Sequence, residues 1–514
     1  MTSTINTKTS ILNRTLDKIE RLGNKLPHPF MIFLGLMIIT VGLSSLLQAL
    51  DVSVALEKID HGVISHTIIT ANSLLDKDGL LFMLSSVLSN FTGFFPLGTV
   101  FFMMLGVGIA EGSGLLRTLL SYLVNITPKA MITSMIVFLG IFSNIASAVG
   151  YIVLVPLAGL IFLQFGRHPI AGLAAAFAGV SGGWSANILI GATDATFAGI
   201  STAAARLIDH QYSVLATSNW YFMIVSTFLI TLIGTWVTDK IIEPRLGPYH
   251  ESDDTRAELA KQEVVALKIS SLALLSYLAL IVFAYLPESS LLRNPATGGL
   301  ADSPLMKNLI VLIGLGFAVW GTIFGYVAKQ FNSAHDVATA MTQAITQLAG
   351  FLVLIFFAAQ FIAYFNYSNL GIIFAIKGAN ALQATGLTGI WLVLGLIILT
   401  ALLNLLIAVD SAKWAIMAPI FVPMFMLLGL SPELTQVAYR IGDSVTNIIA
   451  PTMPLFPLIV AFCQKYNPQL GVGSVVAMML PYSVAFLVGW TLLLILWFTL
   501  GLPLGPDALL HYPH

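Results

Sequence analysis

Two stretches, LNLLIAVDSAKWAIMAP (403–419) and YRIGDSVTNIIAPTMP (439–454), put Asp410, Lys413, Arg440 and Asp443 among apolar neighbours. The rest of the 514-residue chain is equally apolar: 57% hydrophobic and only 9% charged. Soluble domains carry roughly 25% charged residues, and hydrophobic cores stop growing near ~250–300 residues. One large soluble core therefore cannot account for the deficit. Apolar runs at 28–50, 219–238, 266–286 and 387–408 each approach the ~20 residues that cross a bilayer. The lone cysteine, Cys463, permits neither an intrachain disulfide nor a Cys-ligated cluster. The composition defines an all-α, multi-spanning integral membrane protein.

Charge fixes its expected orientation. Residues 1–27 hold five Lys/Arg and 239–268 five more, whereas the polar loops 51–78 and 287–307 hold two each. The positive-inside rule predicts a cytoplasmic N-terminus in a multi-pass protein. The first apolar run lacks a small-residue cleavage site, so it reads as a retained span. The expected order is a cytoplasmic segment 1–27, a first half 28–238, a cytoplasmic loop 239–265 and a second half 266–514. Residues 79–110 contain Gly93, Pro96 and Gly98 and read as two shorter helical pieces. GRHP (166–169) reads as a surface turn before a helix beginning at Pro169.

Two strings of the first half share the texture of the opening pair: SNIASAVGY (143–151) and SGGWSANILIGATDA (181–195). A shift of 260 residues lays Asn144 on Asn404, Gly182 on Gly442 and Asn187 on Asn447, so each half has two asparagines 43 residues apart. Helix-interrupted strings at corresponding places in repeated halves are the sequence pointer to a secondary transporter whose site lies near the bilayer midplane. Hairpins are expected near 130–165 and 390–430, and broken helices near 170–200 and 435–463. Backbone unwound by Gly or Pro must line a cavity or be buried in protein. With neutral amide and hydroxyl oxygens it suits a small hard cation such as Na⁺. Asn144, Ser147, Ser185, Asn187, Asp410, Thr446 and Asn447 are the candidate coupling-ion residues, with Na⁺ or H⁺ as the ion and no cofactor. The alternative reading is that these side chains only hydrogen-bond across packed helices.

Asp194, Asp410, Lys413, Arg440 and Asp443 would each cost roughly 2.5–3.5 kcal/mol at a helix centre if unpaired. They must therefore be paired, solvated or both. Asp410 and Lys413 are three apart, as are Arg440 and Asp443, so each pair shares one helix face. Such pairs either lock the fold or serve a site in which Arg440 or Lys413 meets a substrate carboxylate. Arginine presents a planar fork that matches a carboxylate, and Trp414 is placed to stack on an aromatic ring or to fill the core. Asn187, Ser411, Arg440 and Asn447 are expected around one shared chamber. Neither a Walker string nor an HExxH string occurs, so neither an ATP-driven pump nor an enzyme is expected. A channel is the alternative from another class, and nucleic acid is not an expected partner.

The strings resemble the AbgT family, named for p-aminobenzoyl-glutamate transport. The resemblance covers RLGNKLPHPF (21–30), FGRHPIAGLAAAFAGVSGG (165–183), WYFM (220–223) followed by TDKIIEPRLG (238–247), APIFVPMFMLLG (418–429), YRIGDSVTN (439–447) and GLPLGP (501–506). It implies a bowl-shaped homodimer in the bacterial inner membrane, with about nine transmembrane helices and two re-entrant hairpins per protomer. It also implies transport of p-aminobenzoyl-glutamate or similar folate-pathway organic anions, some members being described instead as exporters of sulfonamide antimetabolites. The family's Ser-Ala-x-Trp falls on Ser411, Ala412, Lys413 and Trp414, and its Arg-x-x-Asp on Arg440 and Asp443. Its later proline falls on Pro451 and its first-half aspartate on Asp194. Asn187, Asp194, Ser411, Lys413, Trp414, Arg440, Asp443 and Pro451 are thus the candidate substrate residues. The chain departs from the pattern at Ala148, where members often carry an acid, and at Asp410, where they carry a small residue. A carboxylate moved between the hairpins would preserve the net charge of the site.

Overall fold

The computed structural model describes residues 29–60, 63–146, 150–249, 260–295, 303–347, 349–386, 388–453 and 455–512. The basic segment 1–27, the candidate ion residue Ser147 and the departure at Ala148 lie outside the described residues. Among the described residues, five helices are long and apolar enough to cross a membrane: Phe30–Ala49, Trp220–Leu246, Lys261–Tyr285, Leu309–Val327 and Val472–Thr499. Two further apolar helix pairs are bent, Val100–Gly112 against Leu115–Val124 by 62° and Leu352–Tyr367 against Leu370–Ala384 by 72°. Each bend turns on a left-handed residue, Gly114 (φ 79°) and Asn369 (φ 59°). Glycine and asparagine reach that region at the least steric cost. The long helices leave many large apolar residues exposed, among them Leu272, Leu280, Phe283, Val488 and Leu492, which is what a lipid solvent requires.

The polar loop 51–78 holds an element that the sequence reading did not anticipate. Strands β1 (Ser53–Asp60) and β2 (Val63–Thr70) pair antiparallel with Ser53 opposite Thr70. Charged residues in 51–60 masked a run of β-branched residues, VISHTIIT, that favours a strand. Residues 79–110 are interrupted, but in three pieces rather than two: helices Lys77–Ser85, Val87–Thr92 and Phe95–Gly112, with the first break at Ser86 and the second at Gly93.

Shorter elements carry the polar strings. In the first half, apolar helices Lys129–Ile145 and Gly150–Gln164 lead to and from one tip, and helices Pro169–Gly182 and Ala192–Ala205 flank a break. In the second half, Ile390–Asn404 and Asp410–Met426 flank the other tip, and Pro432–Asn447 and Phe456–Tyr466 flank the other break. The two broken helices start alike, at Gly166-Arg167-His168-Pro169 and Gly429-Leu430-Ser431-Pro432. Both glycines are left-handed (φ 69° and 78°), and both prolines sit at the helix start, where a missing N–H costs nothing. His168 Nδ1 accepts from the Ile170 N–H at 3.2 Å, and Ser431 Oγ from the Leu434 N–H at 3.1 Å.

GRHP is more than a surface turn. Arg167, half-buried, donates to Asp239 at 2.6 Å and to Thr133 at 2.7 Å, and it also bonds both Glu243 oxygens. Its guanidinium lies 4.0 Å from the Phe162 ring centre. With Asp239 and Glu243 neutralised, the helix expected to stop near 238 continues through a π-helical turn at Thr238–Ile242 to Leu246.

Candidate functional site

The buried charges are paired, but not within their own helices. Lys413 Nζ lies 2.6 Å from Asp443 Oδ1, with side-chain exposures of 1% and 0%. Arg440 Nη2 lies 2.5 Å from Asp194 Oδ1, with exposures of 3% and 6%. The three-residue spacing only puts each partner on a facing surface, and the counter-charge comes from a neighbouring helix. Lys413 on Asp410–Met426 meets Asp443 on Pro432–Asn447. Arg440, on that same helix, reaches across the halves to Asp194 on Ala192–Ala205. Both pairs are charge-assisted, which gives the short geometry expected of such bonds.

Around Lys413 the second half closes into a hydrogen-bonded knot. Lys413 Nζ also donates to Asn404 Oδ1. The Asn404 amide donates in turn to the Asp443 carbonyl (2.8 Å), Thr446 Oγ1 (3.0 Å) and Asn447 Oδ1 (2.8 Å). Asn404 and Asn447, 43 residues apart, thus touch. Asp443 Oδ2 alone is left buried without a partner among the described residues. Trp414 is fully buried, its ring 4.6 Å from that of Tyr439, and its indole donates to Ser201 Oγ at 3.1 Å. In this conformation it fills the core.

The first half makes the corresponding contact and then stops. Asn144 Nδ2 donates to the Gly183 carbonyl at 3.4 Å, which is the Asn404–Asp443 bond displaced by 260 residues. Asn144 Oδ1 and Ser185 Oγ are buried and unpartnered among the described residues. A narrow cavity lies beside them, lined by Asn144, Trp184, Ser185, Asn187, Asp194 and Arg440. Arg440 faces it with its fork underused: Nη1 meets the Met223 sulfur at 2.8 Å and Nε has no partner.

The expected single chamber is therefore divided. Asn187 and Arg440 share the cavity, but Ser411 and Asn447 do not line it. Lys413 is the physical reason, because its ammonium draws Asn404, Asp443 and, through Asn404, Thr446 and Asn447 into a closed cluster. Ser411 sits at a helix start with its N–H on Asp410 Oδ1, and Pro451 lies in the second break. Asp410 bridges the halves, since its Oδ2 accepts from the Trp184 indole at 2.8 Å while its carbonyl accepts from Tyr439 OH at 2.5 Å. Sequence reasoning missed Trp184, Met223, Tyr439 and the full role of Asn404. Only Asn404 had a signal, in the repeat spacing.

Apolar spanning helices around two broken helices, with paired charges buried where the helices are interrupted, define a membrane transporter of the repeated, broken-helix class. A family model described as "AbgT putative transporter family" matches residues 14–512. The chain is 39% identical over 489 residues to the p-aminobenzoyl-glutamate transport protein of Escherichia coli K12, covering 95% of each. The crystal structure of the Alcanivorax borkumensis YdaH transporter superposes with a TM-score of 0.89 at 46% identity, over 93% of this chain and 100% of that one. Neisseria gonorrhoeae MtrF, whose structure and function illuminate a class of antimetabolite efflux pumps, gives 0.91 at 45% identity, over 96% and 100%. The chain belongs to the AbgT family, whose members here are transporters and not enzymes.

Proposed function

We propose that the protein is an ion-coupled secondary active transporter of p-aminobenzoyl-glutamate or a related folate-pathway aromatic carboxylate. The observation that carries this reading is Arg440: a buried guanidinium with one carboxylate partner, an idle Nε and a thioether on Nη1, at the wall of a polar cavity. Such a fork in low dielectric attracts a second carboxylate in two parallel hydrogen bonds. Asn187 and Asp194 would position it. Lys413 and Asp443 would respond from behind the cavity, since Arg440 and Asp443 share a helix. The unpartnered Asn144 Oδ1, Ser185 Oγ and Asp443 Oδ2 are the oxygens best placed to take a coupling Na⁺ or, at Asp443, a proton. The relative named for p-aminobenzoyl-glutamate transport supports the substrate class.

Alternating access would come from the hairpin tips and broken helices moving against a scaffold of long helices in a homodimer. The setting would be a bacterial inner membrane with the N-terminus cytoplasmic, and the repeated halves 28–238 and 266–514 would form the two inner faces. A second reading, proton-driven export of sulfonamide-type antimetabolites, is favoured by the MtrF likeness. Uptake of labelled p-aminobenzoyl-glutamate into proteoliposomes under imposed Na⁺ or pH gradients tests the proposal. Arg440→Ala and Asp443→Asn should abolish gradient-driven uptake. Full activity in both variants would return these charges to a purely structural role, and currents far above carrier turnover would indicate a channel.

A further inference from the structure

A second cavity lies against the first. It is narrow, with an apolar wall to which Phe142, Ile145, Leu189, Phe317 and Trp320 contribute. The same two segments bound both spaces. At the end of Lys129–Ile145, Ser143 and Ile145 line the apolar cavity while Asn144 between them lines the polar one. In the first break, Leu189 faces the former and Asn187 the latter. Successive side chains of this helix end point to opposite sides, so a thin wall of chain separates an arginine-bearing cavity from an aromatic one.

Trp320 carries the argument. Phe317 and Trp320, one turn apart on Leu309–Val327, are stacked at 6.4 Å between ring centres with 25° between planes. The Trp320 indole N–H is shielded and has no acceptor among the described residues. An unpaired buried donor costs free energy comparable to a lost hydrogen bond, and membrane depth offers no water to offset it. A lipid acyl chain would fill the cavity but leave that donor idle. An aryl group bearing a carbonyl or sulfonyl oxygen would stack on the rings and accept the N–H.

We propose that Phe142, Phe317 and Trp320 form the aryl subsite of the transporter, with Trp320 Nε1 donating to the carbonyl or sulfonyl oxygen attached to the ligand's ring. This deepens the transport reading given above and rests on it for the carboxylate end, which Arg440 would hold across that wall. Leu116 also lines a wider cavity that includes Glu111, Arg117 and Glu263.

Three probes titrated calorimetrically against the full chain in nanodiscs test the proposal: p-aminobenzoyl-glutamate, sulfanilamide and glutamate. Trp320→Leu should weaken the two aryl probes about tenfold or more, through loss of ring contact and donor. Trp320→Phe, which keeps a ring, should weaken them by roughly 2–10-fold, the range for one lost hydrogen bond. Glutamate should be unaffected in both variants, which also shows that they are folded. Unchanged aryl binding in both variants, or equal losses for glutamate, would overturn the subsite. Sulfanilamide binding that depends on Trp320, with no binding of p-aminobenzoyl-glutamate by the unaltered protein, would keep the subsite and sink the substrate reading. An unaltered protein that binds neither aryl probe would sink both.

Discussion

Asn144 and Asn404 occupy equivalent places in the two halves and have opposite surroundings. Asn404 is saturated: its oxygen holds an ammonium and its amide serves three acceptors. Asn144 makes one long bond and leaves its oxygen unpaired beside a cavity. The difference traces to two positions. Where the second half has Asp443 the first has Gly183, and where it has Lys413 the first has Val153. Gly183 cannot be otherwise, because a Cβ there would meet Ile141 Cγ1 at 2.5 Å and the Gly179 carbonyl oxygen at 2.7 Å. One half thus carries an internal ion pair that completes its polar cluster, and the other leaves equivalent oxygens free for something that comes and goes. A transport cycle needs both, a fixed charge arrangement and a site whose occupancy changes.

The largest effect is expected at the ion pair. Lys413→Met strands the Asp443 carboxylate in a site where both side chains are essentially fully buried. Breaking a buried pair by removing one partner typically costs roughly 3–5 kcal/mol. The variant should lose transport and show a much lower unfolding midpoint in detergent. Adding Asp443→Leu should recover most of the stability, since replacing both partners with apolar groups is often neutral, but not transport. If the double variant also transports, the pair is structural only.

The two asparagines provide a direct contrast of the halves. Asn404→Ala removes a partner of a buried ammonium, and bonds to charged groups are worth about 1.5–3 kcal/mol; a loss of that order should appear in chemical unfolding. Asn144→Ala removes a single 3.4 Å bond and should change stability by less than about 1 kcal/mol, yet shift the ion dependence of uptake. Equal destabilisation by the two changes would remove the asymmetry on which the functional reading stands.

How much of this was legible in the sequence follows the same asymmetry. Spanning helices declared themselves by composition, and the interrupted strings stood out because polar residues are conspicuous in apolar sequence. The repeat spacing found Asn144, Asn187, Asn404 and Asn447. Pairing could not be read, because Lys413 with Asp443 and Arg440 with Asp194 join residues 30 and 246 positions apart, and spacing along a helix reports only a shared face. Trp184 was invisible for another reason. An aromatic beside glycines reads as core, and only the fold brings its N–H to Asp410. The β-hairpin was obscured by its charged residues.

Asp410 is a further tie between the halves, and its effect should be intermediate. Asp410→Asn retains an oxygen that can accept from Trp184, so stability should fall by only about 1 kcal/mol, while the change in site charge should abolish coupled uptake. If the carboxylate here replaces one that other members carry at position 148, Ala148→Asp in the Asp410→Asn background should recover part of the uptake. No recovery would leave the two departures unconnected.

The smallest effect belongs to the starts of the broken helices, which share Gly-x-x-Pro but use different caps. Ser431 is buried and does not titrate, so Ser431→Ala should cost about 1 kcal/mol at every pH. His168 caps through Nδ1, which can accept the Ile170 N–H only while it carries no proton. Burial lowers the imidazole pKa below its ordinary value, with the nearby Glu243 carboxylate opposing the shift. The Tyr249 ring centre lies 5.2 Å away. A histidine with a depressed folded-state pKa contributes its stability above the unfolded value of 6.5, and that contribution is lost as the pH falls below it. The unfolding midpoint should therefore drop between about pH 7 and pH 5 in the unaltered protein and less in His168→Asn, which keeps a capping oxygen without a titrating nitrogen. Parallel midpoint curves for the two would show that the first-half helix start is as indifferent to protons as the second.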